Sequence, residues 1–140
     1  MMIVKWTIRL LPLAYMALIW ILSSLPDNAV VELPSSSIDR FLKESLHLIE
    51  FGILHVLLAV AYITTGKFSA RTNLICALIA ASYGLLDEIH QYFVPYRSAT
   101  LIDFVKDVIG VITAWWIIRA AYFHKRFPVI AAVLQKLKQI

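Results

Sequence analysis

Asp87-Glu88-Ile89-His90-Gln91-Tyr92-Phe93-Val94-Pro95-Tyr96-Arg97 sets two carboxylates, an imidazole, an amide and a guanidinium on the end of a segment otherwise apolar enough to sit in lipid. The apolar run ahead of it, Leu74 to Leu86, is too short to cross a bilayer alone, which takes about 20 residues. The span therefore continues through Asp87, Glu88 and His90. At about 1.5 Å of rise per residue, Asp87 lies roughly 20 Å along the segment, within a hydrocarbon layer about 30 Å thick. An ionisable side chain at that depth costs about 2.5–3.5 kcal/mol on insertion scales, so such groups turn toward a bundle interior and mark function by default.

The rest of the composition agrees with lipid as the solvent. The chain of 140 residues is 61% hydrophobic and 16% charged, with a mean hydropathy of +0.78. That length allows one helical membrane domain. The net charge of +4 matters less than its placement, because basic residues collect at the N-terminus, in one short loop and in the tail. No basic face interleaves with exposed aromatics, which excludes nucleic acid as a partner. The single cysteine, Cys76, excludes an intrachain disulfide and a multi-thiolate metal site, and its apolar surroundings read as packing.

Outward from the central stretch, the pattern predicts four spans. The first runs from Trp6 to Leu22, with Pro12 as a kink point, and ends at Ser23-Ser24-Leu25-Pro26. It reads as a retained helix, because no small-x-small cleavage site follows and three spans come after it. Asp27 to Lys43 is polar and reads as a loop, with a short interfacial turn at Ile38-Asp39-Arg40-Phe41-Leu42. The second span runs from Glu44 to Thr65, closed by Gly66. A basic loop follows, and Asn73 is a candidate cap for the third span, which ends near Phe93 before Pro95. Thr100 with Asp103 resembles a capping pair for the fourth span, Leu101 to Ile118. From Tyr122 onward, Pro128, Lys136 and Lys138 suggest a basic amphipathic helix on the membrane surface.

Charge placement then sets an orientation. With the N-terminus in the cytoplasm, Lys5, Arg9, Lys67, Arg71, Arg119, Lys125, Arg126, Lys136 and Lys138 lie inside. Arg40, Lys43 and Arg97 lie outside, and Lys106 falls within the fourth span. Both termini are expected to be cytoplasmic. In this arrangement three helices bring their ionisable residues to one outer level: Glu44, His47 and Glu50; Asp87, Glu88, His90 and Gln91; and Asp103, Lys106 and Asp107.

Helical spacing turns these groups inward. Asp103, Lys106, Asp107, Gly110 and Ala114 share one stripe of the fourth helix, and Ala77, Ala80, Gly84, Glu88 and Gln91 share one of the third, with Asp87 at its edge. Small residues beneath the acidic ones suit close helix contact. The expected site is a pocket lined by His47, Glu50, Asp87, Glu88, His90, Gln91, Arg97, Asp103 and Asp107. Plainer roles exist for some of the polar residues: Glu44 and Asp103 suit helix N-termini, Lys106 suits a side chain reaching to headgroups, His55 reads as a hydrogen-bonded packing residue, and His124 as a solvated tail residue. Glu50, Asp87, Glu88, His90 and Asp107 have no such account.

These residues resemble the VanZ-like family of small bacterial membrane proteins. The resemblance rests on Asp87 through Arg97, on Asp103, Asp107 and Gly110, on Lys43-Glu44-Ser45-Leu46-His47-Leu48-Ile49-Glu50-Phe51, and on Ser23-Ser24-Leu25-Pro26. It covers Trp6 to Arg119. Glu44 stands where a second basic residue is common, Tyr96 where glycine often precedes the arginine, and Asp107 where asparagine is frequent. The resemblance implies an all-α four-transmembrane-helix bundle over residues 1–121, with 122–140 as a basic cytoplasmic tail. It also implies a bacterial cell membrane location and a cell-envelope role, because the family takes its name from a member linked to teicoplanin resistance. It implies no defined reaction.

Two functions of different class compete. In the first, the outer pocket binds a lipid headgroup, a cell-wall precursor or a lipoglycopeptide, with Arg97 and Lys106 as cations. Carboxylates outnumber bases there, which favours amines or cations as ligands. In the second, the chain is a metal-dependent membrane hydrolase. Glu44 with His47 and Asp87 with His90 have the i, i+3 carboxylate–His spacing of helical di-metal sites, with Asp107 as a further ligand. No cofactor is expected in the first reading; a divalent metal belongs to the second. A proton or ion pathway fits least, since the ionisable residues cluster in one leaflet rather than crossing the bilayer.

Overall fold

The computed structural model describes residues 2–25, 36–95, 97 and 99–140, and leaves the side chains of residues 36–44 and 47 outside that description. Apolar runs bounded by short polar connections fold into five helices: α1 Met2–Ser23, α2 Ser36–Ile63, α3 Ala70–Tyr92, α4 Leu101–His124 and α5 Pro128–Gln139. Among the described residues there is no strand. By length and apolar composition, α1 and α3 are able to cross a membrane, and α2 carries a shorter apolar stretch, Leu48–Ile63.

Several ends differ from the sequence expectation, each for a local reason. The helix leading into the acidic segment starts at Ser36 rather than Glu44, so Ser36 to Lys43, expected as loop and turn, is helical. The remainder of that expected loop, Asp27 to Ser35, lies outside the described residues, as do Pro26, Tyr96 and Ser98. Gly66 closes α2 as expected: it adopts a φ of 74°, and its N–H reaches the Ile63 carbonyl at 3.0 Å. The cap of α3 is Ser69, not Asn73. Ser69 and Thr72 bond reciprocally in a capping box, which leaves Asn73 in the first turn, buried and donating from Nδ2 to the Trp115 carbonyl at 3.2 Å. Thr100 caps α4 as expected, its hydroxyl accepting from the Asp103 N–H at 3.1 Å. That helix runs past Ile118 to His124 and ends on Lys125 in the left-handed conformation.

Small residues decide how closely the helices approach. A Cβ built on Gly110 of α4 would overlap the Leu48 carbonyl of α2, and one on Gly52 would stand 3.2 Å from the Gly110 oxygen. Here α2 and α4 touch backbone to backbone, as small-residue stripes permit. One apolar cluster joins Ile19, Phe51, Leu54, Ala77, Ala80 and Val111 across α1 to α4. A second, at the far end, joins Ala59, Ile63, Phe68, Ile118 and Ala121 to Leu134 of α5. Thus α5 docks on the bundle through Ala131 and Leu134 while Val129 and Val133 remain exposed. Cys76 is buried, as read from the sequence. His55 is fully buried against Asn73 and the Cys76 backbone, the packing position expected of it.

Outside these clusters much of the surface is apolar. On α1 only Pro12, Ile19 and Ser23 are buried, leaving Ile3, Trp6, Leu10, Leu13, Leu18 and Ile21 exposed. The exposed Ile109, Ile112 and Trp116 continue such a surface along α4. Apolar surface of this extent needs a covering, and lipid supplies one.

Candidate functional site

The predicted stripes bury Asp87, Glu88, Gln91 and Asp107, while Asp103 and Lys106 of the α4 stripe are only half-buried. On α3, Asp87, Glu88 and Gln91 are buried together with Ala77, Ala80 and Gly84. On α4, Asp107 is fully buried with Gly110 and Ala114. The i, i+3 and i+4 spacing that aligns these residues on one face also turns them away from lipid.

Asp87 is the centre of the network. Its Oδ1 accepts from the Ser23 hydroxyl of α1 at 2.6 Å, and its Oδ2 from the Gln91 amide one turn on, also at 2.6 Å. Ser23 also lies 2.8 Å from the Ile19 carbonyl, so its single proton has two close acceptors. Glu88 points to the next connection, where its Oε2 accepts the Thr100 N–H at 3.1 Å. Asp107 packs against Gly84: a Cβ there would stand 3.3 Å from both the Asp107 Cβ and Oδ2. Glycine at 84 is therefore what admits the carboxylate between α3 and α4.

His90 lies on the half-exposed flank of α3. Its ring stacks on Trp20 of α1 with centroids 3.9 Å apart, and Nε2 is 2.9 Å from the Ser24 hydroxyl oxygen. This looks like a serine–histidine pair, but the proton count argues against a nucleophile. The Ser24 hydroxyl lies 2.6 Å from the Trp20 carbonyl, which is only an acceptor and takes the hydroxyl proton. In that arrangement His90 donates to Ser24 rather than acting as its base.

Arg97 and Lys106, the cations expected to meet an anionic headgroup, are engaged within the chain. Arg97 donates from Nε to the Leu25 carbonyl at 2.9 Å and from Nη2 to the Leu22 carbonyl at 2.8 Å. It thereby ties the turn after α3 to the Leu22 carbonyl near the end of α1 and to the Leu25 carbonyl just beyond it. Lys106 pairs with Asp103 at 3.0 Å, and the other Asp103 oxygen accepts from Thr100 at 2.6 Å. Glu50 is half-buried on α2, near enough to Tyr15 and Tyr83 for its charge to act on both. The Glu44 and His47 side chains lie outside the described residues, so the candidate metal set of Glu44, His47, Asp87, His90 and Asp107 is described only in part. Among the described residues no three His, Cys, Asp or Glu side chains form a group able to hold a metal ion.

Sequence reasoning missed Trp20, Tyr83 and the individual roles of Ser23 and Ser24. Tyr83 bonds the Met16 carbonyl at 2.7 Å and fixes α3 to α1. The signal available for the serines was their position at a helix end followed by proline, where two hydroxyls gather near open carbonyls.

An apolar helical exterior around a buried, hydrogen-bonded carboxylate cluster defines a helical membrane protein with a polar interior at one end. The chain belongs to the VanZ/LLP1 family, whose model matches residues 2–123. No curated protein and no solved structure matches it.

Proposed function

We propose that the protein is a multi-pass component of the bacterial cell membrane whose acidic end faces outward and binds an amine-bearing envelope ligand. The ligand class comprises an aminated lipid headgroup, a cell-wall precursor and a lipoglycopeptide of the teicoplanin type. One observation carries this reading. Asp87, Glu88 and Asp107 are buried at one end of the bundle, while Arg97 and Lys106 beside them are held by acceptors of the chain itself. Among the described side chains carboxylates outnumber cations there, and an excess of one charge in a low-dielectric setting attracts the opposite charge on a ligand. Family membership supports the membrane setting, and the basic residues gathered at the other end of α1, α4 and the tail support the orientation.

Asp87→Asn is the decisive variant, because the network has room for the amide. The asparagine oxygen accepts from Gln91, its NH2 donates to Ser23, and Ser23 turns its proton to the Ile19 carbonyl 2.8 Å away. The charge is removed and the hydrogen bonds are kept. In a susceptible bacterium expressing the protein, teicoplanin tolerance is expected to fall to the empty-vector level with Asp87→Asn at unchanged protein abundance. Tolerance unaffected by Asp87→Asn, or lost only in step with abundance, overturns the proposal.

A further inference from the structure

At the end of α4 opposite Asp107, a cleft of about 440 Å³ is lined by Trp115, Trp116, Arg119, Ala120, His124 and Arg126. The intervening helix makes this a separate place: Asp107 and Arg119 are about 18 Å apart along the axis. The Arg119 guanidinium lies over the Trp115 ring, 5.4 Å from its centroid. The Trp115 indole N–H is buried without a hydrogen-bond partner. Arg126 is held between Lys125 and Phe127, two non-glycine residues in the left-handed conformation with φ of 53° and 57°. Such a corner is strained, and strain of this kind gathers at binding sites. No aspartate or glutamate follows Asp107, whereas Arg119, Lys125, Arg126, Lys136 and Lys138 do.

We propose that this cleft seats the phosphate headgroup of an anionic glycerophospholipid, with Arg119 and Arg126 as its cations and Trp115 and Trp116 as its walls. Guanidinium forks match phosphate oxygens bidentately. Tryptophan belongs at headgroup depth, where one edge is wet and the other apolar. A soluble phosphate has the same oxygens, but the cleft opens beside exposed Ile109, Ile112 and Trp116 on one face of α4. Those side chains would run along acyl chains and have nothing to offer a free ion. The proposal needs only a membrane protein, and stands or falls independently of what the acidic end binds.

The test is lipid titration of the full-length purified protein by native mass spectrometry, using dioleoylphosphatidylglycerol and dioleoylphosphatidylcholine, with inorganic phosphate as competitor. Phosphatidylglycerol is expected to bind in preference to phosphatidylcholine. Arg119→Gln with Arg126→Gln should weaken it about thirtyfold, the scale of two basic residues at a lipid surface. Trp115→Ala, which keeps both arginines and removes one wall of the cleft, should weaken it as well. Lys136→Gln with Lys138→Gln removes equal charge from tail residues that do not line the cleft, where charges are screened, and should leave the affinity within about twofold. Both arginines are exposed, so melting temperatures should be unchanged. If they fall, Arg119→Lys with Arg126→Lys keeps the charge and loses the fork, and a partial loss of affinity is then expected. Equal loss in the tail variant, equal binding of phosphatidylcholine, or displacement by phosphate at the lipid's own affinity overturns the proposal.

Discussion

A Cβ on Gly110 would fall into the Leu48 carbonyl oxygen and stand 2.9 Å from its carbon. Backbone cannot step aside as a side chain can, so Gly110→Ala forces α2 and α4 apart along their whole contact. The expected cost is about 1–3 kcal/mol, the range for overpacking a well-filled site. Gly52→Ala meets the same contact at 3.2 Å and should cost less. Gly66→Ala has open space around it, but a φ of 74°, and should lose about 1–2 kcal/mol through left-handed strain alone. Thermal unfolding in detergent ranks the three; a Gly110→Ala protein melting with the wild type would refute the backbone contact. At this scale the sequence was informative where spacing alone suffices. The stripe of Gly84, Glu88 and Gln91 and the small-residue step from Gly110 to Ala114 are both buried as periodicity predicts. Partners chosen across the fold were not legible: nothing local to Arg97 indicates that its guanidinium ends on Leu22 and Leu25.

That pairing sets the behaviour of a whole element. α1 has few buried residues and is held at its end by Arg97 on its carbonyls, Ser23 on Asp87, and Trp20 and Ser24 on His90. Charge-assisted hydrogen bonds contribute about 1.5–3 kcal/mol each when buried and less when exposed, as those of Arg97 are. Arg97→Gln should therefore loosen the last turn of α1 without unfolding α3 or α4. Hydrogen exchange checks this: amides of residues 20–25 should lose protection while those of α4 keep theirs. Uniform loss across all helices would mean that Arg97 holds the entire fold. Element ends were the least legible feature for the same reason. Asn73 looks like a cap in sequence, yet Ser69 and Thr72 satisfy the helix start together, which frees Asn73 to reach Trp115. The run of α4 to His124 follows from packing of Ala121 and Tyr122 against Phe68 and Leu134 of α5, contacts that no pattern within α4 displays.

For the whole molecule, the separation of charge along the bundle makes a prediction about direction. Carboxylates gather at the starts of α2 and α4 and the end of α3, and basic residues at the start of α1, between α2 and α3, and beyond the middle of α4. A charge-separated bundle in a membrane orients with its Lys and Arg ends in the cytoplasm, and the rule counts positive residues in short loops most heavily. The Lys67 to Asn73 connection is such a loop, and the turn after α3 carries only Arg97, whose guanidinium is occupied by α1. Introduced cysteines read the outcome cleanly, because the native Cys76 is buried. Lys67 is the better position for the inner loop than Ser69, whose hydroxyl caps α3. In intact cells, Ser36→Cys and Ala99→Cys should react with a membrane-impermeant thiol reagent, and Lys67→Cys should react only after the membrane is opened. The reverse labelling would place the acidic end in the cytoplasm, where an envelope ligand could not meet it, and the proposed binding role would fail with the orientation.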